Sequence, residues 1–201
     1  MLRFCVSILC AFSAVTCGGD KADSAPVSAG ADQAQLDKGE VLVKSLTPTG
    51  DEGVAAEARA VVSAPPEKVF GFLDDCARFK EFMPRVKDSA LRGTEGDAKI
   101  CYTEIGMPFP ISNLWSEVRS VTTRLPDGGY QRAWTLIKGT YKRNTGNWKV
   151  QPWGADGTKS LVTYTLDVNP DVMIPDAIIR KAQTGSLPDV FEALRKRAQG
   201  G

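Results

Sequence analysis

The stretch from Asn144 to Ala198 constrains the fold most: two strand-like runs joined by a tight turn, then a long amphipathic helix that closes the chain. On one parity the first run carries Trp148, Val150 and Pro152 and the second carries Val162, Tyr164, Leu166 and Val168, while Asn147, Lys149, Lys159 and Asp167 fall on the other. Each strand therefore has one dry face. The connection Gly154-Ala155-Asp156-Gly157 supplies residues that tolerate the positive φ a hairpin needs. From Pro175, Ile178, Ile179, Ala182, Leu187, Val190, Phe191 and Leu194 recur at helical spacing and form one apolar stripe. Gly185 and Pro188 interrupt it, and the missing backbone donor of proline predicts a kink near Ser186. A helix laid across a curved antiparallel sheet can enclose a chamber between the two layers.

Upstream, Glu40–Leu46 and Val54–Val62 read as strands, the second alternating Val54, Ala56, Ala58, Ala60 and Val62 with Glu57 and Arg59. Ser63-Ala64-Pro65-Pro66-Glu67 is a helix-start signal, since proline is tolerated in a first helical turn. Two short helices follow, one carrying Val69, Phe70 and Leu73, the other Phe79, Phe82 and Met83, with Asp74 and Asp75 as a solvated break or cap between them. Further strands are expected near 85–93, 97–106, 113–124, 129–137, 145–153 and 157–168. This order predicts an α+β domain with its helices on one face of an antiparallel sheet.

Composition excludes several classes. The 25 basic and 24 acidic residues nearly cancel, so the broad positive footprint of a nucleic-acid binder is missing. There is no histidine, which removes Ser-His and Cys-His mechanisms and the commonest metal ligand. Cys5, Cys10 and Cys17 lie in the N-terminal apolar region, so Cys76 and Cys101 alone remain downstream and no metal site or cofactor is expected. Those two cysteines read equally as a disulfide or as two buried thiols.

Residues 1–17 have the basic flank and short apolar core of a secretory signal, and Ala14-Val15-Thr16-Cys17-Gly18 resembles a bacterial lipobox with Thr16 at an unusual position. That resemblance implies lipid attachment at Cys17 and a location on the periplasmic side of the cell envelope; the alternative reading of the same segment is a simply secreted protein. Residues 18–39 are poor in large apolar side chains and read as a flexible linker, leaving 40–201 for the folded domain.

Residues 54–198 resemble the helix-grip superfamily, which includes StAR-related lipid-transfer (START) domains, Coq10-like quinone-binding proteins and polyketide cyclases. The resemblance is carried by Ser63-Ala64-Pro65-Pro66-Glu67-Lys68-Val69-Phe70, Glu81-Phe82-Met83-Pro84, Gly146-Asn147-Trp148-Lys149-Val150 and Ser186-Leu187-Pro188-Asp189-Val190-Phe191. It implies a curved antiparallel sheet wrapped around a long C-terminal helix, with two short helices after the first strand. Met107-Pro108-Phe109-Pro110-Ile111-Ser112 looks like the proline-bracketed turn of START domains, although Leu114-Trp115 stands where those domains have an Arg-Asp pair. By position, Glu104 and Arg119 match a carboxylate and an arginine that face the cavity in sterol carriers. Strand parity groups Glu104 with Ile100 and Tyr102, and Arg119 with Trp115 and Val121, so the two charges are expected to pair among apolar neighbours, either against ligand or as a structural cross-strand ion pair, with two unrelated surface charges as the other reading.

The ligand-facing set expected from these readings is Tyr102, Glu104, Trp115, Arg119, Trp134, Leu136, Trp148, Val150, Tyr164, Leu166, Ile178 and Ala182. Trp134 and Trp148 suit a cavity wall or an ordinary core equally, and Trp153, on the opposite parity to Trp148, is expected outside. The residues from Lys138 to Asn144 are expected to form a loop that moves with the closing helix to admit ligand, with Gly139, Gly146, Gly185 and Pro188 as hinges. Arg180, Lys181, Arg195, Lys196 and Arg197 make the wet side of that helix basic, either as a solvated face or as a contact with a membrane surface. The expected function is binding, and possible transfer, of a sterol, hopanoid, phospholipid or quinone without catalysis. The alternatives are a cyclase or aromatase using Tyr102, Glu104, Arg119 or Tyr164, and a partner-stabilising module with a filled interior.

Overall fold

A computed structural model describes residues 26–50, 52–173 and 186–200. Eight strands form one antiparallel sheet in the order β1-β2-β8-β7-β6-β5-β4-β3, curved and not closed. The strands are β1 (Leu42–Leu46), β2 (Val54–Val62), β3 (Val86–Glu95), β4 (Ala98–Ile105), β5 (Leu114–Arg124), β6 (Tyr130–Gly139), β7 (Tyr141–Trp153) and β8 (Lys159–Pro170). Between β2 and β3 lie α2 (Pro66–Asp74), a 3₁₀ turn (Cys76–Arg78) and the one-turn α3 (Phe79–Phe82), preceded in the chain by α1 (Pro26–Asp37). The C-terminal helix α4 (Leu187–Gln199) covers the concave face. The expected start of that helix at Pro175, together with Ile178, Ile179 and Ala182, lies outside the described residues.

Helix and sheet meet because small and large residues face each other. Ala56, Ala58 and Ala60 on β2 are at most 2% exposed and let the helix backbone approach closely, while Leu187, Phe191, Leu194 and Ala198 form its buried stripe. Phe191 meets the Trp148 ring edge-on at 6.2 Å, and Trp148 stacks on Tyr164 at 3.9 Å. Pairing runs Ala58 to Tyr164, Tyr164 to Trp148 and Trp148 to Arg132, which places all four side chains on the face turned to the helix. The β7–β8 hairpin turns through Gly154 and Gly157, both at positive φ, with the Asp156 carboxylate accepting from Thr158 N and Oγ1.

Three features depart from the sequence reading. Residues 26–37, expected within a flexible linker, form α1: Ala and Gln favour helix, Leu36 is buried, Asp32 pairs with Arg59, and the Trp153 indole donates to Asp37 at 2.9 Å on the outside of the sheet. The stretch from Lys138 to Asn144 is not a free loop. β6 and β7 meet at Thr140, whose N–H donates to Trp115 O and whose carbonyl accepts from Asp171 N, each at 2.9 Å. Gly146 is not a hinge either: a Cβ there would stand 2.4 Å from the Trp134 ring, so glycine is required for packing.

Of the open readings for Cys76 and Cys101, the structure has the disulfide, which ties the turn after α2 to β4. Arg132 lies beside it, 3% exposed, donating to Leu73 O at 3.0 Å near the C-terminus of α2 and to Cys101 Sγ at 3.1 Å. Burial pulls the Arg132 guanidinium down to about 10, against the opposing charge of Asp74. Asp74 is a network member rather than a solvated break, taking a hydrogen bond from Thr122 Oγ1 at 2.7 Å and pairing with Lys99. Burial alone would raise its pKa, but the hydrogen bonds from Lys99 and Thr122, with the charges of Lys99 and Arg132, outweigh that and hold it below the usual carboxylate range.

Breaking the disulfide, by reductant or by a C76S/C101S variant, is expected to lower the unfolding free energy by about 3 kcal/mol, read as a shifted denaturant midpoint. A depressed folded-state pKa at Asp74 gives stabilisation that is complete above the unfolded-state value of about 3.9 and is lost as pH falls through the lower folded value. Asp74→Asn should therefore flatten the acid limb of stability against pH, measured by thermal melts from neutral pH downward.

Candidate functional site

The concave face is solid at one end and hollow at the other. Trp148, Val150, Phe191 and Leu194 fill the first half. In the second half a cavity of about 860 Å³ opens between the start of β2, the far end of β8 and the first turn of α4. Val54 and Ala56 floor it, Tyr164, Leu166 and Val168 continue the floor, Ile105 and Leu114 form the opposite wall, and Leu187 and Val190 form the roof. The chain leaves the described residues at Met173 and returns at Ser186, and both residues line this space.

The strand starts make the hollow possible. At the hollow end β7 and β8 run past the first turn of α4, so their inward residues there have no helical partner among the described residues. At this end Tyr141 pairs with Pro170 while Arg143 pairs with Asn169, a two-for-one step that makes Lys142 an extra residue in β7. The step brings Tyr141 onto the cavity face, although its odd number puts it with outward-facing residues such as Arg143, which pairs with Asp167 at 2.8 Å. Burial pushes the Tyr141 phenol upward, with a further push from Tyr164, and burial carries Tyr164 up to about 12 against the opposing pull of Arg132. Both phenols are neutral donors at physiological pH.

The rim is charged. Glu52, Asp171 and Asp189 face it along with Arg85 and Lys142. Arg85 adopts φ 64°, and its guanidinium donates twice to Gly106 O, at 3.0 and 2.8 Å. Lys142 Nζ lies 3.6 Å from Glu52. Apolar residues stand among these charges: Met107 and Val172 line the mouth, and Met173 does so while 95% exposed.

Of the residues singled out in the sequence, Tyr164 and Leu166 line the cavity. Trp148 and Val150 are core. Trp134 lies on the same inward face, its indole donating to Asn144 Oδ1 at 3.0 Å, and Asn144 donates in turn to Ser116 Oγ at 3.1 Å. Leu136 shares that face by its pairing with Val118 but does not border the cavity. Ile178 and Ala182 are outside the described residues, as is Cys17.

Tyr102, Glu104, Trp115 and Arg119 require a correction. Cys101 faces inward to its disulfide, and its pairing with inward Val118 turns the even residues of β4 and the odd residues of β5 to the convex face. Glu104 does not pair with Arg119. It pairs in register with Trp115, while Arg119 lies opposite Ile100. Glu104 accepts from Asn113 Nδ2 at 2.7 Å and Tyr102 Oη at 3.1 Å, bracing the β4–β5 turn, and the closest carboxylate to half-exposed Arg119 is Glu95, at 3.8 Å. The basic residues of α4 are also engaged in the fold. Arg195 donates to Val61 O at 3.1 Å and Arg197 contacts Glu81 and the Phe72 and Phe82 rings, leaving Lys196 exposed, with Arg180 and Lys181 outside the described residues.

Sequence reasoning missed Tyr141, Ile105 and Leu114, because a bulge and an inverted parity determine their direction. Ala56, Leu187 and Val190 were recognisable as apolar positions, but nothing local distinguished cavity from core.

The sequence profile of the family described as polyketide cyclase / dehydrase and lipid transport matches residues 62–195, and the chain belongs to that family. Its fold is that of START-like helix-grip proteins. A STAR-related lipid transfer protein from Xanthomonas axonopodis superposes with a TM-score of 0.69 at 21% identity, covering 79% of this chain and 93% of that one. Human StAR-related lipid transfer protein 5 gives 0.68 at 13% identity over 86% of this chain and 94% of that one. The Zhui aromatase/cyclase from a Streptomyces species gives 0.57 at 11% identity over 79% and 94%. No curated protein sequence matches the chain.

Because Glu104 and Arg119 lie on the convex face, the paired substitution E104Q/R119A is expected to change stability by less than about 1 kcal/mol and to leave any cavity-bound molecule in place. Denaturant titration and native mass spectrometry of the variant test both parts.

Proposed function

We propose that this protein binds one hydrophobic molecule in the cavity under the start of α4 and carries it at the bacterial cell envelope, without chemical conversion. The observation that carries this reading is the 860 Å³ hollow itself, whose floor and roof are aliphatic and aromatic while its charges sit at the rim. A lipid leaving a bilayer exposes methylenes at roughly 0.8 kcal/mol each, so a carrier has to offer apolar surface, which Val54, Ala56, Leu166, Val168, Leu187 and Val190 supply here. The lipid-transport description of the family and the START-like fold support the same reading.

Transfer fits the rim. Met173 is 95% exposed at the mouth, and Phe109 is 97% exposed in the turn whose flanking residues Met107 and Leu114 line the cavity. Such side chains suit contact with the interfacial region of a membrane, where the ligand would be exchanged. The signal-like residues 1–17 and the lipid attachment proposed at Cys17 would keep the domain near that membrane. The cyclase alternative is weakened because three of its four candidate proton-handling groups, Tyr102, Glu104 and Arg119, face away from the cavity. The fourth, Tyr164, lines the cavity as a neutral phenol whose pKa burial raises, so it is poorly suited to act as a base near neutral pH.

Two measurements test the proposal. Native mass spectrometry of the purified protein should find a co-purifying apolar molecule, and Leu166→Trp, which fills the cavity from its floor, should abolish it while preserving a cooperative melt. An empty wild-type protein that also takes up no added lipid would reject the carrier function. Replacing Phe109 and Met173 together by Ser should slow lipid transfer between vesicles by about tenfold or more without reducing occupancy; an unchanged rate would remove the membrane-contact role of the rim.

A further inference from the structure

Two phenols stand among the apolar side chains of the cavity. Tyr141 and Tyr164 both border it, and among the described residues neither hydroxyl has a hydrogen-bond partner. Both side chains are only partly buried and open onto that space, so each hydroxyl is available to whatever fills it. Their placement is specific. Tyr164 is held rigidly by its stack on Trp148, with rings 3.9 Å apart and 8° from parallel, and by Trp134 at 6.0 Å. Tyr141 reaches the cavity only through the extra residue at Lys142, and bulges of this kind commonly re-aim a side chain toward a site.

We infer that Tyr141 and Tyr164 together hold an oxygen of the bound molecule, so that the cavity selects an uncharged apolar ligand bearing a hydroxyl or carbonyl group over a plain hydrocarbon or an anionic lipid. This rests on the ligand-binding reading above and narrows it. A phenol O–H is a neutral donor and satisfies a carbonyl or hydroxyl oxygen fully. An ionised head group needs a cation as well, and among the described residues the site is poorly provided with one. Arg85 is committed to Gly106 O, Lys142 lies by Glu52, and Asp171 and Asp189 add further negative charge to the lining. A buried carboxylate or phosphate would meet more repulsion than attraction. Both phenols also stay protonated across the physiological range, since burial raises their pKa values.

The test uses matched probes: cholesterol against cholestane, and octadecanol against octadecane and stearate, delivered from cyclodextrin to the full chain and scored by native mass spectrometry. In each set the neutral oxygenated member should be retained about 5- to 30-fold better than the hydrocarbon, and octadecanol by a similar factor over stearate, corresponding to one or two hydrogen bonds. The Y141F/Y164F double variant keeps both rings and should bind hydrocarbon as before, lose the preference for oxygen, and melt close to the wild-type temperature. Equal retention of alcohol and hydrocarbon, a preference for stearate, a preference untouched by the double variant, or a markedly lower melting temperature overturns the inference while ligand binding stands. Failure to take up any of the probes overturns both.

Discussion

The contact between Phe191 and Trp148, over the small floor of Ala56, Ala58 and Ala60, organises everything else. It joins the last helix to the centre of the sheet and sets the separation of the two layers. The alanines matter as much as the aromatic rings: larger side chains on β2 would lift the helix and open the whole interior to water. With that contact made, burial falls unevenly along the helix. Its later turns seat Leu194 and Ala198 against the core, while Leu187 and Val190 in its first turn touch the core on one side and border the open space on the other. The hollow is thus a consequence of where the helix stops being matched by the sheet.

A second constraint protects that arrangement. Arg132, Asp74, Lys99 and the Cys76–Cys101 disulfide bind α2, β4 and β6 into a polar knot at the filled end of the interior. An arginine so deeply buried is tolerated because it caps the carbonyl end of α2 and has a carboxylate in its field. Polar contacts within the chain are therefore concentrated at the closed end, although Arg132 Nε there has no partner among the described residues, and the two phenols line the open end. Chemistry and packing divide the same face between structure and recognition.

The element order, the eight strand positions and the amphipathic character of α4 were legible in the chain, because period-two alternation and three-to-four spacing are local properties. The site was legible only where one face was plainly drier. On β8, Tyr164 and Leu166 alternate with Thr163, Thr165 and Asp167, and the inward set is unambiguous. On β4 and β5 both faces carry large or apolar groups: Ile100 and Tyr102 on one side of β4, Cys101 and Ile105 on the other. Alternation separates such a strand into two sets without saying which meets the helix. The disulfide makes that choice, since Cys101 must face Cys76.

What the sequence by itself determined, then, was the class of fold: strands of known parity, a hairpin closed by Gly154 and Gly157, and a helix with one greasy stripe. Only the tertiary structure decided the direction of each face and the location of the empty space. The physical reason is that parity is inherited along a strand but is inverted by one extra residue, and the bulge at Lys142 does this to Tyr141. A cavity is less local still, being the volume that remains after distant elements have packed, and no residue carries a mark that it will border emptiness rather than a neighbour.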